Sequence, residues 1–325
     1  MGTKMSLRIS FLQAIVWVSF VCFMMAAVSA QDTNSESTPP AKRMTPELLW
    51  KLGRLGEAVI SPDGKQVAYS VRRYELADNE GSSSLYVTNV SDGKTSMIAA
   101  DWKSLASLQW KKLENSERIF FEGTPDTETD SEEEEEPKNQ AWSIEPTSLS
   151  LTQLTSLPDG IANLNVSPDA KRIAFSVRVK MLAQPDEIYP DLPKAEARII
   201  DQLMYRHWNK WQDHKFSHIQ VCELAEGNPV SEAIDLMKDI QADCPIPPFG
   251  GGEQFCWSPD SKEIAFAMKD VEDWAQSTNS DIYIVAADGS SPPTKISGQS
   301  PGYDRSPNFS PDGKYIAYNL SLIHI

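Results

Sequence analysis

The residues best equipped for chemistry in this 325-residue chain are few, and most crowd into one stretch. His207, His214 and His218 lie close together, with Trp208, Trp211 and Phe216 interleaved among them. His214 and His218 are four apart, a spacing that would suit a metal on a helix. Phe216 to Val221 alternates as a strand does, however, and there four residues span about 13 Å, too far for one ion. No metal is expected. Other catalytic signatures are missing as well. The chain has no Gly-x-Ser-x-Gly, the strand–turn–helix motif that presents a nucleophilic serine. Gly93-Lys-Thr95 has Thr88 where a phosphate-binding loop needs its first glycine, and neither Gly-x-Gly-x-x-Gly nor His-Glu-x-x-His occurs. No catalytic residue and no cofactor are expected within these residues.

The elements that would position anything here are repeats. Asn308-Phe-Ser-Pro-Asp-Gly-Lys-Tyr-Ile-Ala-Tyr318 is echoed by Val59–Tyr69, Asn165–Phe175 and Cys256–Phe266, and in a worn form by Leu108–Phe121. Each copy reads as strand, tight turn and strand. Proline fixes φ in the turn, Asp, Ser or Gly fills the permissive positions, and Ile-Ala-Phe or Val-Ala-Tyr resumes an apolar run. A second hairpin alternates with the first, at Leu85–Ile98, Ala141–Leu154, His218–Ile234 and Asp281–Ile296.

Two hairpins make a four-stranded unit, and Ser258 and Ser310 are 52 residues apart. Four strands at that period predict an all-β fold of β-propeller blades, because one blade cannot bury both faces until neighbours stack on it. The copies make four blades and the start of a fifth. A β-sandwich with similar turns is the alternative. Ahead of the first blade, Thr45-Pro-Glu-Leu-Leu-Trp predicts a short helix with a capping Thr and Pro at its first position. Ser167 and Ser258 are 91 residues apart, so an insert of roughly 40 residues, Lys180 to Ser217, interrupts the third unit. Within it Ile199, Ile200, Leu203, Met204 and Trp208 fall near i, i+4, i+8 spacing and predict an amphipathic helix over 195–208. Its aromatic end is read either as a working surface or as an anchor onto the blade below.

The formal charge of −16 argues against nucleic acid or an anionic membrane as partner. Eight of the eleven residues from Asp126 to Glu136 are acidic, which reads as a solvated loop kept open by its own repulsion. Residues 1–30 have a basic start (Lys4, Arg8), an apolar run from Ile9 to Val28, and Val28-Ser-Ala30 before Gln31. That is the pattern of a cleaved signal peptide, and it predicts an exported protein, periplasmic or secreted. An uncleaved anchor is the alternative, and the only way this chain would meet a membrane. Residues 31–43 are polar and read as a disordered leader. Cys222, Cys244 and Cys256 remain after cleavage, either as one disulfide, Cys222 to Cys244, plus a thiol, or as buried free thiols. We expect the natural sequence to end near Asn319, with Leu320–Ile325 a non-native tail encoded by a sequencing-library adapter.

Met44-Thr-Pro-Glu-Leu-Leu-Trp50, Val59–Lys65, Arg198-Ile-Ile-Asp-Gln-Leu-Met-Tyr-Arg-His-Trp208 and Pro247-Pro-Phe-Gly-Gly-Gly-Glu253 carry a resemblance. They look like the N-terminal half of a prolyl oligopeptidase-family serine peptidase, of the dipeptidyl-peptidase V and acylaminoacyl-peptidase branch. Ser-Pro-Asp-Gly alone is also shared by TolB-like propellers, whose blades are WD40-like. The resemblance implies about seven blades followed by an α/β-hydrolase domain with Ser, His and Asp. Peptide would be the substrate, and that C-terminal domain, absent from this sequence, the partner. An incomplete propeller has an open face at each end and is expected to be poorly stable alone. If the insert faces the central chamber, the resemblance implies that Glu196 or Asp201 pairs with a substrate's free amine, and that Arg206 or Trp208 holds its backbone or side chain. A non-enzymatic TolB-like propeller that binds protein partners is the second reading.

Overall fold

The computed structural model describes residues 43–126, 137–195, 197–201, 203–229, 231–270, 274–298 and 301–321. The expected signal segment, nearly all of the expected leader, nearly all of the acidic run, Glu196 and residues 322–325 lie outside the described residues. The chain divides into two units, 1–49 and 50–325. Helix α1 (Pro46–Lys51) spans that division and begins where the sequence predicts. Thr45 Oγ1 accepts the Leu48 N–H at 3.2 Å, which satisfies one of the amides that a helix start leaves open.

The second unit is a run of antiparallel sheets in chain order. Blade 1 comprises β1 (Arg54–Ile60), β2 (Gln66–Glu75), β3 (Glu80–Asn89) and the first part of β4 (Thr95–Lys112). Past Trp102, β4 leaves β3 and pairs instead with β5 (Glu117–Pro125), so it is also the first strand of blade 2. Blade 2 continues with β6 (Gln140–Ile144) and β7 (Leu151–Gln153). In blade 3, β8 (Ala162–Val166) pairs with β9 (Arg172–Lys180). After the insert, which holds α2 (Pro185–Ile188), β10 (Arg206–His207) and β11 (Lys210–Trp211), comes β12 (Lys215–Ala225). The blade closes with β13 (Asn228–Pro229) and β14 (Ile234–Asp235), both paired to β12. Blade 4 is β15 (Phe255–Trp257), β16 (Glu263–Met268), β17 (Asp281–Ala286) and β18 (Thr294–Lys295), and β19 (Tyr303–Phe309) and β20 (Ile316–Ser321) open a fifth. The expected propeller architecture of stacked, four-stranded units is what the chain forms.

Packing explains the alternation. The apolar clusters lie between blades. Ala68, Leu85 and Val87 meet Leu108, Trp110 and Phe121 between blades 1 and 2. Phe120 and Leu154 meet Leu164, Ile173 and Phe175 between blades 2 and 3, and Ile219 and Val221 meet Phe255, Ile264 and Phe266 between blades 3 and 4. The flanking residues of each Ile-Ala-Phe triplet share one cluster, Ile173 and Phe175 between blades 2 and 3 and Ile264 and Phe266 between blades 3 and 4, while Ala174 faces the next cluster.

The Ser-Pro-Asp turn is one device used four times. Ser61, Ser167, Ser258 and Ser310 each donate Oγ–H to the aspartate two residues on, at 2.6–2.7 Å. Each also accepts the amide five residues on, at 2.9–3.0 Å. The residue after the aspartate takes a left-handed conformation: Gly64 at φ +73°, Ala170 at +56°, Ser261 at +63° and Gly313 at +70°. A further device is not evident in the sequence. β4 and β8 each bulge, with Ser107 and Asn163 at φ +57° and +59°. The N–H so released goes to a carboxylate of the preceding blade, Leu108 to Glu57 (2.7 Å) and Leu164 to Glu122 (2.9 Å).

The insert is where expectation and structure part. No helix covers the described residues of 195–208. The described residues before 206 carry no regular secondary structure, and the chain then closes in the β10–β11 hairpin, with Arg206 opposite Trp211 and His207 opposite Lys210. A helix of about this length is marginal in water unless its apolar face is buried. Here Ile199, Ile200, Leu203 and Met204 remain 39% to 61% exposed. Among the described residues of the insert, helix is confined to the four-residue α2, which begins at Pro185.

Candidate functional site

The hairpin, the Pro247-Pro-Phe loop and blade 4 enclose a cavity of about 730 Å³, within the usual range for small-ligand sites. Its polar floor is built on β9. Arg178 reaches Asp213 Oδ1 at 2.6 Å and Asp243 Oδ1 at 3.1 Å, and also donates to the Lys215 carbonyl. Asp243 Oδ1 accepts the Ser217 N–H at 2.7 Å as well. Burial pushes the Asp243 carboxyl up, while the Ser217 amide and Arg178 pull the other way. Lys215 Nζ is paired with Asp159 at 2.6 Å, and Lys269 Nζ donates to the Trp274 carbonyl at 2.7 Å.

The remaining wall is aromatic and apolar. Trp208 meets Phe249 edge to face, with ring centroids 5.5 Å apart, and the His207 ring lies 4.9 Å from Trp208. Trp211 stacks on Tyr205 at 5.9 Å, and the guanidiniums of Arg198 and Arg206 lie over its ring. Trp274 and Tyr303 contribute from blades 4 and 5. The loop that carries Phe249 is fixed by its own chemistry. The Gly250 N–H bonds the Ile246 carbonyl at 2.9 Å, and a Cβ on Gly250 would stand 2.5 Å from that oxygen.

Of the residues singled out from sequence, Trp208 lines the cavity. Arg206 lies on the adjoining strand of the hairpin and packs its guanidinium on Trp211. Asp201 is exposed on the segment before the hairpin and does not line the cavity, and Glu196 lies outside the described residues. Sequence reasoning missed Arg178, Asp213, Asp243 and Phe249. Only Phe249 had a local signal, as part of the Pro-Phe-Gly run. The histidines do not converge. His218 is fully buried, with Nδ1 2.9 Å from Asp235 Oδ2 and Nε2 2.9 Å from the Ile240 carbonyl. Among the described residues no group of three or more His, Cys, Asp or Glu side chains is placed to hold a metal. Cys222, Cys244 and Cys256 are free thiols, and burial pushes Cys256 up to about 11.

A propeller with a cavity under an inserted hairpin is the class that fold and site define. No family model matches the chain. It is 31% identical over 310 residues to dipeptidyl-peptidase 5 of Porphyromonas endodontalis, covering 94% of this chain and 42% of that protein. To dipeptidyl-peptidase 5 of Porphyromonas gingivalis it is 33% identical over 300 residues, covering 91% of this chain and again 42% of that protein. Among solved structures, Pyrococcus horikoshii acylaminoacyl peptidase superposes with a TM-score of 0.54 at 16% identity, covering 84% of this chain and 36% of that one. That likeness shows the fold. The chain thus matches a propeller portion of the dipeptidyl-peptidase 5 type, and it spans less than half the length of the curated relatives it matches.

Proposed function

We propose that this chain is the substrate-gating propeller of an exported serine exopeptidase that removes dipeptides, or acylated residues, from peptide amino termini. The observation that carries this reading is the 31% identity sustained over 310 residues to a protein named as a dipeptidyl-peptidase. The signal-peptide pattern of residues 1–30 supports export to the periplasm or beyond. Acyl transfer through Ser, His and Asp would be supplied by an α/β-hydrolase domain outside these residues. The residues described here would bind and orient. The cavity takes part of the peptide, its ionic floor holds the wall in one geometry, and the blades keep bulk water and folded protein away from the scissile bond.

The test is to express the complete reading frame from the source DNA and assay dipeptide p-nitroanilides and N-acyl amino acid p-nitroanilides, with and without a serine-reactive phosphonate. Hydrolysis that the phosphonate abolishes supports the proposal. A frame without a Gly-x-Ser-x-Gly, whose product hydrolyses neither series, overturns it and leaves a binding propeller.

A further inference from the structure

His218 is fully buried on β12, and its two contacts fix how many protons it holds. Nδ1 lies 2.9 Å from Asp235 Oδ2, and Nε2 lies 2.9 Å from the Ile240 carbonyl. A neutral imidazole has a single N–H, and a carbonyl or an ionised carboxylate can only accept. The two bonds together therefore need one proton more than a neutral histidine and an ionised aspartate hold between them. The ring is an imidazolium, joined to the Asp235 carboxylate by a charge-assisted bond. The other oxygen of that carboxylate accepts the Met237 N–H at 2.9 Å, so Asp235 is held from both sides.

That extra proton holds a loop in place. Residues 236–244 lead from β14 toward blade 4, and β12 grips them at both ends: Leu236 N–H bonds the Ile219 carbonyl at 3.0 Å, and Cys244 N–H bonds the Ser217 carbonyl at 2.8 Å. Between these ends the chain turns through Asp239 at φ +66°, and the bond from His218 to the Ile240 carbonyl ties this middle part to the strand. Just before the second grip stands Asp243 of the cavity floor. Its Oδ1 accepts the Ser217 N–H at 2.7 Å and meets Arg178 at 3.1 Å.

Few charged groups surround the ring. Asp235 faces it from β14, and Asp243 feels its charge from the loop. Arg178 on β9 and Asp213 ahead of β12 stand one contact further out, bonded to each other. Lys238 and Asp239 of the loop are exposed. Loss of the ring proton would act twice. It leaves a nitrogen lone pair against an oxygen at 2.9 Å, on a ring with no exposed surface. Burial raises the Asp243 carboxyl, and the ring's charge, after the Ser217 amide and Arg178, is one of the groups that pull it back down; that pull would go as well.

We propose that the His218–Asp235 pair is a proton-dependent clamp on loop 236–244, and that His218 is a positioning residue of the cavity floor, holding Asp243 in place at low pH and releasing it as pH rises. The clamp holds whether or not the intact protein is a peptidase.

The experiment is hydrogen exchange read by mass spectrometry on the full-length protein. It compares about pH 5.5 with about pH 8.5, either side of the range in which histidine ordinarily changes charge, with labelling times scaled to the intrinsic exchange rate. In the wild type, loop 236–244 should lose about tenfold in protection at the higher pH, the size of one charge-assisted hydrogen bond, while β16 keeps its own. Asp235→Asn keeps the shape and needs no extra proton, because its amide N–H donates to Nδ1 while Nε2–H donates to the Ile240 carbonyl. Its loop should stay protected at both pH values. His218→Gln cannot take up charge, and its loop should be loose at both. The two variants thus remove the pH dependence from opposite sides. Wild-type protection that is unchanged within about twofold overturns the proposal. So does a loss that β16 shares, or a pH dependence that either variant retains.

Discussion

Replacing Ser258 with Ala should cost about 2 kcal/mol, and the same change at Ser310 should cost little. Both serines close the same turn, so the comparison isolates burial. Ser258 is 3% exposed, and its Oγ accepts the Lys262 N–H at 3.1 Å and the Glu263 N–H at 2.9 Å while donating to Asp260. After truncation Lys262 N–H keeps Asp260 Oδ1 at 3.2 Å. Glu263 N–H, which faces the buried Ser258 Oγ, keeps no acceptor. An orphaned buried amide costs about 1–3 kcal/mol. At Ser310 the geometry is the same but the turn is wetter, so water replaces the lost acceptor and the cost should stay under about 0.5 kcal/mol. Urea unfolding of the full-length protein measures both, and for a domain this size about 2 kcal/mol is roughly 4–8 °C in Tm. Site-resolved hydrogen exchange adds a local reading, with faster exchange at the Glu263 amide in Ser258→Ala. Equal losses in the two variants, or a Ser258→Ala loss below about 0.5 kcal/mol, would refute the idea that the serine works by satisfying a buried amide.

The same turns make other predictions. Gly64 has φ +73°, and no atom lies within 4 Å of where a Cβ would stand, so Gly64→Ala should cost only the left-handed strain, about 1 kcal/mol by thermal unfolding. Asp63 is held at about 2 by the Ser61 hydroxyl and then the Lys65 amide, below its ordinary 3.8. Its contribution is therefore complete above pH 3.8 and lost as pH falls toward 2, a dependence that Asp63→Asn should remove from an acid-unfolding curve. Glu122 has the opposite sign. Burial first, and Glu57 as a neighbouring charge, raise its carboxyl above the ordinary value, so ionisation disfavours folding as pH rises. Glu122→Gln keeps an acceptor for the Leu164 N–H and should raise the unfolding midpoint more at pH 8 than at pH 5; an equal shift at both would show that charge is not the cost.

The blades were legible because their constraints are local. A turn that needs a serine acceptor, an aspartate and a left-handed residue within four positions must show them in sequence, and the apolar period 2 of the flanking strands shows which faces are buried. The pairs Glu57–Leu108 and Glu122–Leu164 were not legible, since 51 and 42 residues separate the partners and a lone glutamate in a strand reads as a solvated edge. The cavity floor was hidden for the same reason: Arg178 meets Asp243 across 65 residues. In the insert, periodicity misled. Ile199, Ile200, Leu203 and Met204 have helical spacing, but they stay exposed, and the hairpin at 206–211 instead gains paired backbone bonds and the Tyr205–Trp211 stack.

Trp208 occupies a strained turn at little net cost to stability. Glycine adopts φ +50° freely, whereas a side chain there costs about 1–2 kcal/mol, and an indole 68% exposed returns little of it through burial. The edge-to-face contact with Phe249 offsets about 0.5–1.5 kcal/mol at most. Glycine's extra backbone entropy in the unfolded chain takes back another 0.5–1 kcal/mol, roughly. The terms nearly cancel, so Trp208→Gly should unfold within about 1 kcal/mol of wild type, far from the 3–5 kcal/mol, roughly, of a structural Trp→Ala change in a core. A loss in that larger range by urea unfolding would mean the indole is part of the fold's packing. Its placement in a strained turn would then need no ligand to account for it.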